Sequence, residues 1–227
     1  IGKATEPMLP MIAVPTTAGT GSETQSFALI SDAKNHTKMA CGDKKATCKL
    51  AILDPELTLT QPARVTALTG IDALAHALET YVTTKRTELS MDYSRRAWEL
   101  LSVNFIKVID NPYDLEARSA MLLGACLAGL AIENSMLGAA HALANPLTAH
   151  FNIVHGQAVA CMLPHVIRFN AQSMESQYGQ LASATNAVSG DDSKALATFI
   201  TEITQHSGLA THLKPQGVNA DQLPMLA

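Results

Sequence analysis

From Val65 to Val82 the apolar residues Val65, Leu68, Ile71, Ala75, Leu78 and Val82 recur at steps of three and four. That period belongs to a helix, and a helix apolar on nearly every side is stable only when other elements enclose it. Set into the run are Asp72 and His76, so that a carboxylate and an imidazole stand one above the other on the same face. Spacing alone leaves two readings open, a hydrogen-bonded pair inside a core or two ligands of a metal ion. Gly70, in the same run, costs helix stability unless a ligand or another helix must approach closely.

Composition agrees with a helical interior. Of 227 residues, 47% are hydrophobic and only 4% aromatic, so most of the apolar share is small and aliphatic, the material of tightly packed helices. The length fits one large domain or one and a half. A net charge of −4 and the lack of any Lys/Arg cluster argue against nucleic acid or an anionic membrane as partner. Cys41, Cys48, Cys126 and Cys161 show no CxxC spacing, which predicts reduced thiols in a cytoplasmic protein. The longest apolar run, Ala120 to Ile132, is read as too short to span a bilayer and as a buried core helix. The opening Ile1-Gly2-Lys3 carries no secretory signal or initiator methionine, so the chain is expected to begin partway through a longer product.

Before residue 60 the pattern is one of short strands. Met11 to Val14, between Pro10 and Pro15, reads as a buried strand; Phe27 to Ile30 and Leu50 to Leu53 read as two more. Between the first two lies Thr16-Thr17-Ala18-Gly19-Thr20-Gly21-Ser22-Glu23. Its small residues would let backbone N–H groups approach a phosphate, but a plain strand-to-helix turn explains them equally well. Thr24 stands where a dinucleotide fingerprint needs its third glycine. Lys38 precedes a loose segment, and Asp54-Pro55 with Pro62 marks a boundary near residue 60. Helices are then predicted from Pro62 to Val82, Glu88 to Ile109, Leu115 to about Leu143, and from near His155. Two weaker helical patterns follow Met174, with turns at Gly208 and Pro215-Gln216-Gly217.

Two further histidines bear on Asp72 and His76. His141 lies in an apolar helical stretch, where an unpaired ring would be costly, and His155 precedes a glycine at a helix start. Three imidazoles and one carboxylate suit Fe²⁺ or Zn²⁺ better than Mg²⁺ or Ca²⁺. His36, His150, His165, His206 and His212 fall in turns, beside Pro164 or in surface patterns and read as structural or solvated. No H-E-x-x-H order is present, so a hydrolase reading has no motif behind it.

The ordered set Pro15 to Glu23, Asp54-Pro55 with Leu57-Thr58, Thr69 to Glu79, His141 and His155-Gly156 closely resembles the iron-containing alcohol dehydrogenases, over essentially the whole chain. The resemblance implies an α/β plus all-α architecture of dehydroquinate synthase-like type. Residues 1–60 would be the C-terminal part of a dinucleotide-binding α/β domain, and residues 61–227 a helical metal-binding domain. It implies Asp72, His76, His141 and His155 as ligands of Fe²⁺ or Zn²⁺. Thr16, Thr17, Lys38 and Leu57 would contact NAD or NADP, and Glu79 and Gly70 would frame the site. It further implies a small alcohol or aldehyde substrate and a cytoplasmic homo-oligomer.

Two departures follow. Many family members carry a second histidine one turn after the third ligand, near substrate and nicotinamide, and Asn145 occupies that catalytic position here. Asparagine does not titrate near neutrality, so a proton relay is not expected there and substrate preference would differ. The family's glycine-rich pyrophosphate loop is also not in this sequence. The competing readings are a glycerol dehydrogenase-like zinc enzyme, against which the four-ligand set speaks, and a non-catalytic metal-binding helical module.

Overall fold

The computed structural model describes residues 5–31 and 38–226; His36 and the side chain of Lys38 lie outside that description. The N-terminal part holds four short strands. β1 (Ile12–Ala13) runs parallel to β4 (Leu50–Ala51), with Ile12 opposite Leu50 and Ala13 opposite Ala51. β2 (Phe27–Ser31) and β3 (Lys38–Gly42) form an antiparallel pair, Phe27 facing Gly42 and Ser31 facing Lys38. The segment after Lys38 is thus a strand and not the loose stretch expected, because its backbone groups are satisfied by pairing with β2. The first strand also differs from its reading as buried: Met11, Ile12 and Val14 are all exposed, Ile12 by 61%. Its pair with β4 is only two residues long on each side.

Helices begin where the proline punctuation placed them. Pro62 precedes α1 (Ala63–Val82), in which every residue from Thr66 to Val82 except Thr69 is buried. α2 (Glu88–Asp110) starts with a capping box in which Thr87 and Ser90 each satisfy the other's backbone N–H. α3 (Leu115–Glu133) is capped by the Asp114 carboxylate, which accepts from Ala117 N–H. α1 packs against α2, α3 and α5 (His155–Ser183), and is therefore the central helix its periodicity required. Gly70 faces Phe105 and Met121, where a Cβ would come within 2.6 Å of the Phe105 ring. Its role is close helix packing, the second of the two possibilities.

α3 is longer than the apolar run read from sequence. By length and composition it would suffice to cross a membrane, yet it packs on α1 and α2 with more than half of its apolar stretch buried. The continuous helix expected to about Leu143 is in fact two. α3 stops at Glu133, where Asn134 Nδ2 and Ser135 Oγ donate to the Leu130 and Ala131 carbonyls. α4 (Ala139–Phe151) then begins after Gly138 and ends at Asn152, which adopts a left-handed backbone with φ 53°. α5 bends at Met174, and α6 (Ser193–His206) closes the bundle on it. The indole of Trp98, fully buried, donates to the Leu181 carbonyl at 2.8 Å and meets Phe199 edge-on, tying α2 to α5 and α6.

The N-terminal part is fastened to the helices by its small residues. Gly21, with φ +61°, and Gly129 of α3 approach so closely that a Cβ on Gly21 would sit 2.6 Å from the Ala125 carbonyl oxygen. Beside them Ser26 donates through its backbone N–H and its hydroxyl to the Glu133 carboxylate at 2.9 and 2.8 Å. The glycines of the Thr16–Glu23 loop thus serve close packing on the helices, a use that neither sequence reading of the loop had named. None of the four cysteines is in a disulfide, and Cys126 and Cys161 are buried.

Candidate metal centre

Three helices deliver four side chains to one point. Asp72 and His76 come from α1, His141 from the first turn of α4, and His155 is the first residue of α5. Three imidazole Nε2 atoms converge on a single oxygen: His141 lies 3.3 Å from Asp72 Oδ1, His76 3.6 Å and His155 3.8 Å. Ligands about 2.1 Å from a tetrahedral ion stand about 3.4 Å apart, so these separations match a coordination shell. Asp72, His141 and His155 form the tightest group, with donor atoms within 4.8 Å of one another. His76 flanks it, its ring stacked on His141 at 4.8 Å between centroids.

The hydrogen-bonded-pair reading of Asp72 and His76 fails on distance, since 3.6 Å is too long for such a bond. His76 Nδ1 is buried and makes no well-formed hydrogen bond, the ring's interaction with the Gly19 backbone falling short of bond geometry. His141 Nε2 is within hydrogen-bond distance of Asp72 Oδ1, at 3.3 Å. A divalent cation held among the four side chains would take the three Nε2 lone pairs and Asp72 Oδ1 as ligands, and the residues present therefore fit the metal.

A further carboxylate stands behind the cluster. Glu79, on the same stripe of α1 as Asp72 and His76, places Oε2 2.6 Å from His141 Nδ1 and Oε1 2.6 Å from the Ala140 backbone nitrogen. It is nearly inaccessible, at 1% exposure. Sequence reasoning gave it only a framing role. The sign that more was involved is its position seven residues after Asp72, on one helical face.

Charge follows from these contacts. Burial opposes ionisation of Asp72, but the surrounding histidines outweigh it and hold the carboxyl below its usual range. Glu79 is likewise lowered, burial being overcome by His141 and the α4 backbone. Burial also acts against a charged His141, yet hydrogen bonds to Asp72 and Glu79 raise it to about 9. His76 moves the other way, because burial dominates and its carboxylate contact is longer. In the metal-free protein the ion pair on His141 stabilises the fold fully below the ordinary value of 6.5, and the gain is lost as pH rises through about 9. Metal binding at Nε2 must expel that proton. Zinc binding at pH 7 is therefore expected to release a proton, and affinity to rise about tenfold per pH unit towards pH 9 before levelling. Calorimetry in buffers of different ionisation enthalpy measures this directly; zinc uptake without proton release would show a neutral His141.

The other predicted site residues are placed as follows. Thr16 is exposed and its carbonyl accepts from Gln61 Nε2, which joins the loop to the residues preceding α1. Thr17 is half-buried, and Leu57 is exposed on a 3₁₀ turn over Pro55–Thr58. Lys38 contributes its backbone to β3. Asn145 lies exposed on α4, one turn beyond His141. Gln61 was missed by sequence reasoning, as was the buried Arg118, which donates to Thr66 Oγ1 at 3.2 Å.

Comparison with known proteins agrees with this geometry. Residues 66–227 match the C-terminal model of the Fe-containing alcohol dehydrogenase family, and residues 1–55 match the iron-containing alcohol dehydrogenase model. The chain is 36% identical over 215 residues to the probable alcohol dehydrogenase EutG of Escherichia coli strain K12, a match spanning 95% of this chain and 54% of that protein. It is 33% identical over 232 residues to the NAD-dependent methanol dehydrogenase of Bacillus methanolicus, covering 100% of this chain and 61% of the relative. A crystal structure of 1,3-propanediol oxidoreductase superposes with a TM-score of 0.92 at 30% identity, over 98% of this chain and 60% of that one. Fold and site together define a helical bundle with a candidate metal centre, preceded by a strand-containing segment. The chain belongs to the iron-containing alcohol dehydrogenase family. It spans little more than half the length of the curated relatives it matches.

Proposed function

We propose that Asp72, His76, His141 and His155 hold Fe²⁺ or Zn²⁺ and that the protein acts as an NAD(P)-dependent dehydrogenase of small alcohols. The observation carrying this reading is the convergence of three Nε2 atoms on Asp72 Oδ1. The relatives' names, among them an NAD-dependent methanol dehydrogenase, support it. Bound there, the cation would supply Lewis acidity towards an alcohol or carbonyl oxygen, and a nicotinamide cofactor would supply the hydride donor or acceptor.

The chain's own residues set up that exchange. Asp72 provides the negative charge about which the imidazoles gather. His155, whose side chain is 31% exposed against 7% for His141, marks the side from which substrate enters. Asn145, on the α4 turn after His141, orients substrate by hydrogen bonding, since an amide has no proton to relay near neutrality. Thr16, Thr17 and Leu57, with Lys38, contact the dinucleotide. Residues 1–60 accordingly form the end of the cofactor domain and residues 61–227 the metal domain. A non-catalytic module is not favoured, because both parts of the chain match the enzyme family.

Elemental analysis of anaerobically purified protein, followed by titration with NAD⁺ and NADP⁺, tests the reading. A single iron or zinc per chain and binding of one dinucleotide are expected. Failure to retain either metal after loading would overturn the metal assignment, and alcohol oxidation by metal-stripped protein would overturn its part in the chemistry.

A further inference from the structure

We infer that Glu79 is the positioning residue that makes His141 a metal ligand, one carboxylate both capping the start of α4 and fixing which ring nitrogen of His141 faces Asp72. The inference rests on the metal reading above and adds to it a residue outside the ligand set. α4 begins without a side-chain cap of its own, Gly138 occupying the cap position. Its orphaned backbone donors are met instead from α1: Ala140 N–H donates to Glu79 Oε1 at 2.6 Å and Gly138 N–H to Oε2 at 3.2 Å. The third contact is His141 Nδ1, 2.6 Å from Oε2.

The donor inventory decides the ring's state. An ionised carboxylate only accepts, so the nitrogen facing it must carry hydrogen. With Nδ1–H pointing at Glu79, the opposite nitrogen, Nε2, is the one directed at Asp72 Oδ1 and, once its own proton is displaced, the one whose lone pair a cation can take. One side chain thus sets the backbone path of the first turn of α4 and the tautomer of the ligand three residues past Gly138. His76, whose Nδ1 has no carboxylate behind it, is stacked against His141.

Glutamine at position 79 has nearly the same shape but one acceptor oxygen where three donors converge. If its amide nitrogen turns to His141, Nδ1 must accept, the hydrogen moves to Nε2, and the lone pair for the metal is lost. If the amide nitrogen turns to Ala140, two donors oppose each other and the start of α4 opens. Either way His141 no longer serves as a ligand.

The test measures zinc affinity by chelator competition for the wild type and Glu79→Gln, with the absorption spectrum of the cobalt-loaded protein as a second reading. Loss of about 10- to 100-fold in zinc affinity and an altered cobalt spectrum are expected. Unchanged affinity and spectrum in Glu79→Gln would overturn the positioning role while leaving the metal site standing. A wild type that binds neither zinc nor cobalt would instead overturn the metal reading itself. Should Glu79→Gln fail to fold, nitrogen NMR of the zinc-loaded wild type decides: hydrogen on His141 Nδ1 with zinc on Nε2 is expected, and the reverse assignment overturns the inference.

Discussion

Replacing Asp72 with alanine is expected to weaken zinc or iron binding by more than about 100-fold, beyond the loss that follows removal of an outer-shell partner. The three imidazoles are neutral when they ligate, so within the proposed ligand set the only negative charge is that of Asp72. Its Oδ1 is also the one atom near which all three Nε2 donors lie. The metal-free fold should lose less. His141 keeps its contact with Glu79, and losing the Asp72 hydrogen bond costs about 1–3 kcal/mol. Asp72→Asn separates charge from shape, since the amide fills the same space and retains one acceptor oxygen. If the Asp72→Asn variant bound zinc as tightly as the wild type in a chelator titration, charge would not be what holds the ion, and the site's chemistry would need another account.

What the sequence could reveal divides along the range of the interactions involved. The bounds of α1 and α2 were legible because local signals fix them: the prolines around residue 60, the three-four period and, in the structure, the capping residue Thr87 before α2. The break between α3 and α4 was not. Apolar spacing continues through Met136 and Leu137, and the new helix starts where Glu79, some sixty positions earlier, captures its first N–H groups. β3 escaped notice for the same reason, since Lys38 to Gly42 gains its order by pairing with β2. Strand burial at Met11 to Val14 was misjudged because an apolar run shows what can be covered and not whether anything covers it.

Residue type singled out the candidate ligands more readily than pattern fixed the fold around them. A histidine such as His141 in an apolar helix demands a partner, and the chemistry of partners for imidazole is narrow. Asp72, His76 and His155 stood out as candidates by residue type and position. The sequence could not show the order of support. Glu79 stands on the same helical stripe as Asp72 and His76, but only the three-dimensional path of α4 makes its carboxylate the neighbour of His141 instead of His76.

Gly156→Ala is expected to impair the metal centre without altering any ligand. α5 begins at His155, and a Cβ on Gly156 would overlap the Leu68 carbonyl oxygen and come within 3.0 Å of its carbon. That carbonyl belongs to the backbone of α1, the central helix, and has no room to yield. The first turn of α5 must move instead, carrying His155 away from Asp72. Overpacking of this kind costs about 1–3 kcal/mol in stability. Loss of ligand alignment should lower zinc affinity by about tenfold or more, within the range found when a ligand loses its support. Gly208→Ala provides the control: its φ of +73° makes alanine strained, at about 1–2 kcal/mol, but nothing lies within 4 Å of the added carbon. Both variants should therefore melt earlier, while only Gly156→Ala should bind zinc more weakly. Equal zinc affinity in the two would mean that the close contact between α5 and α1 does not position His155.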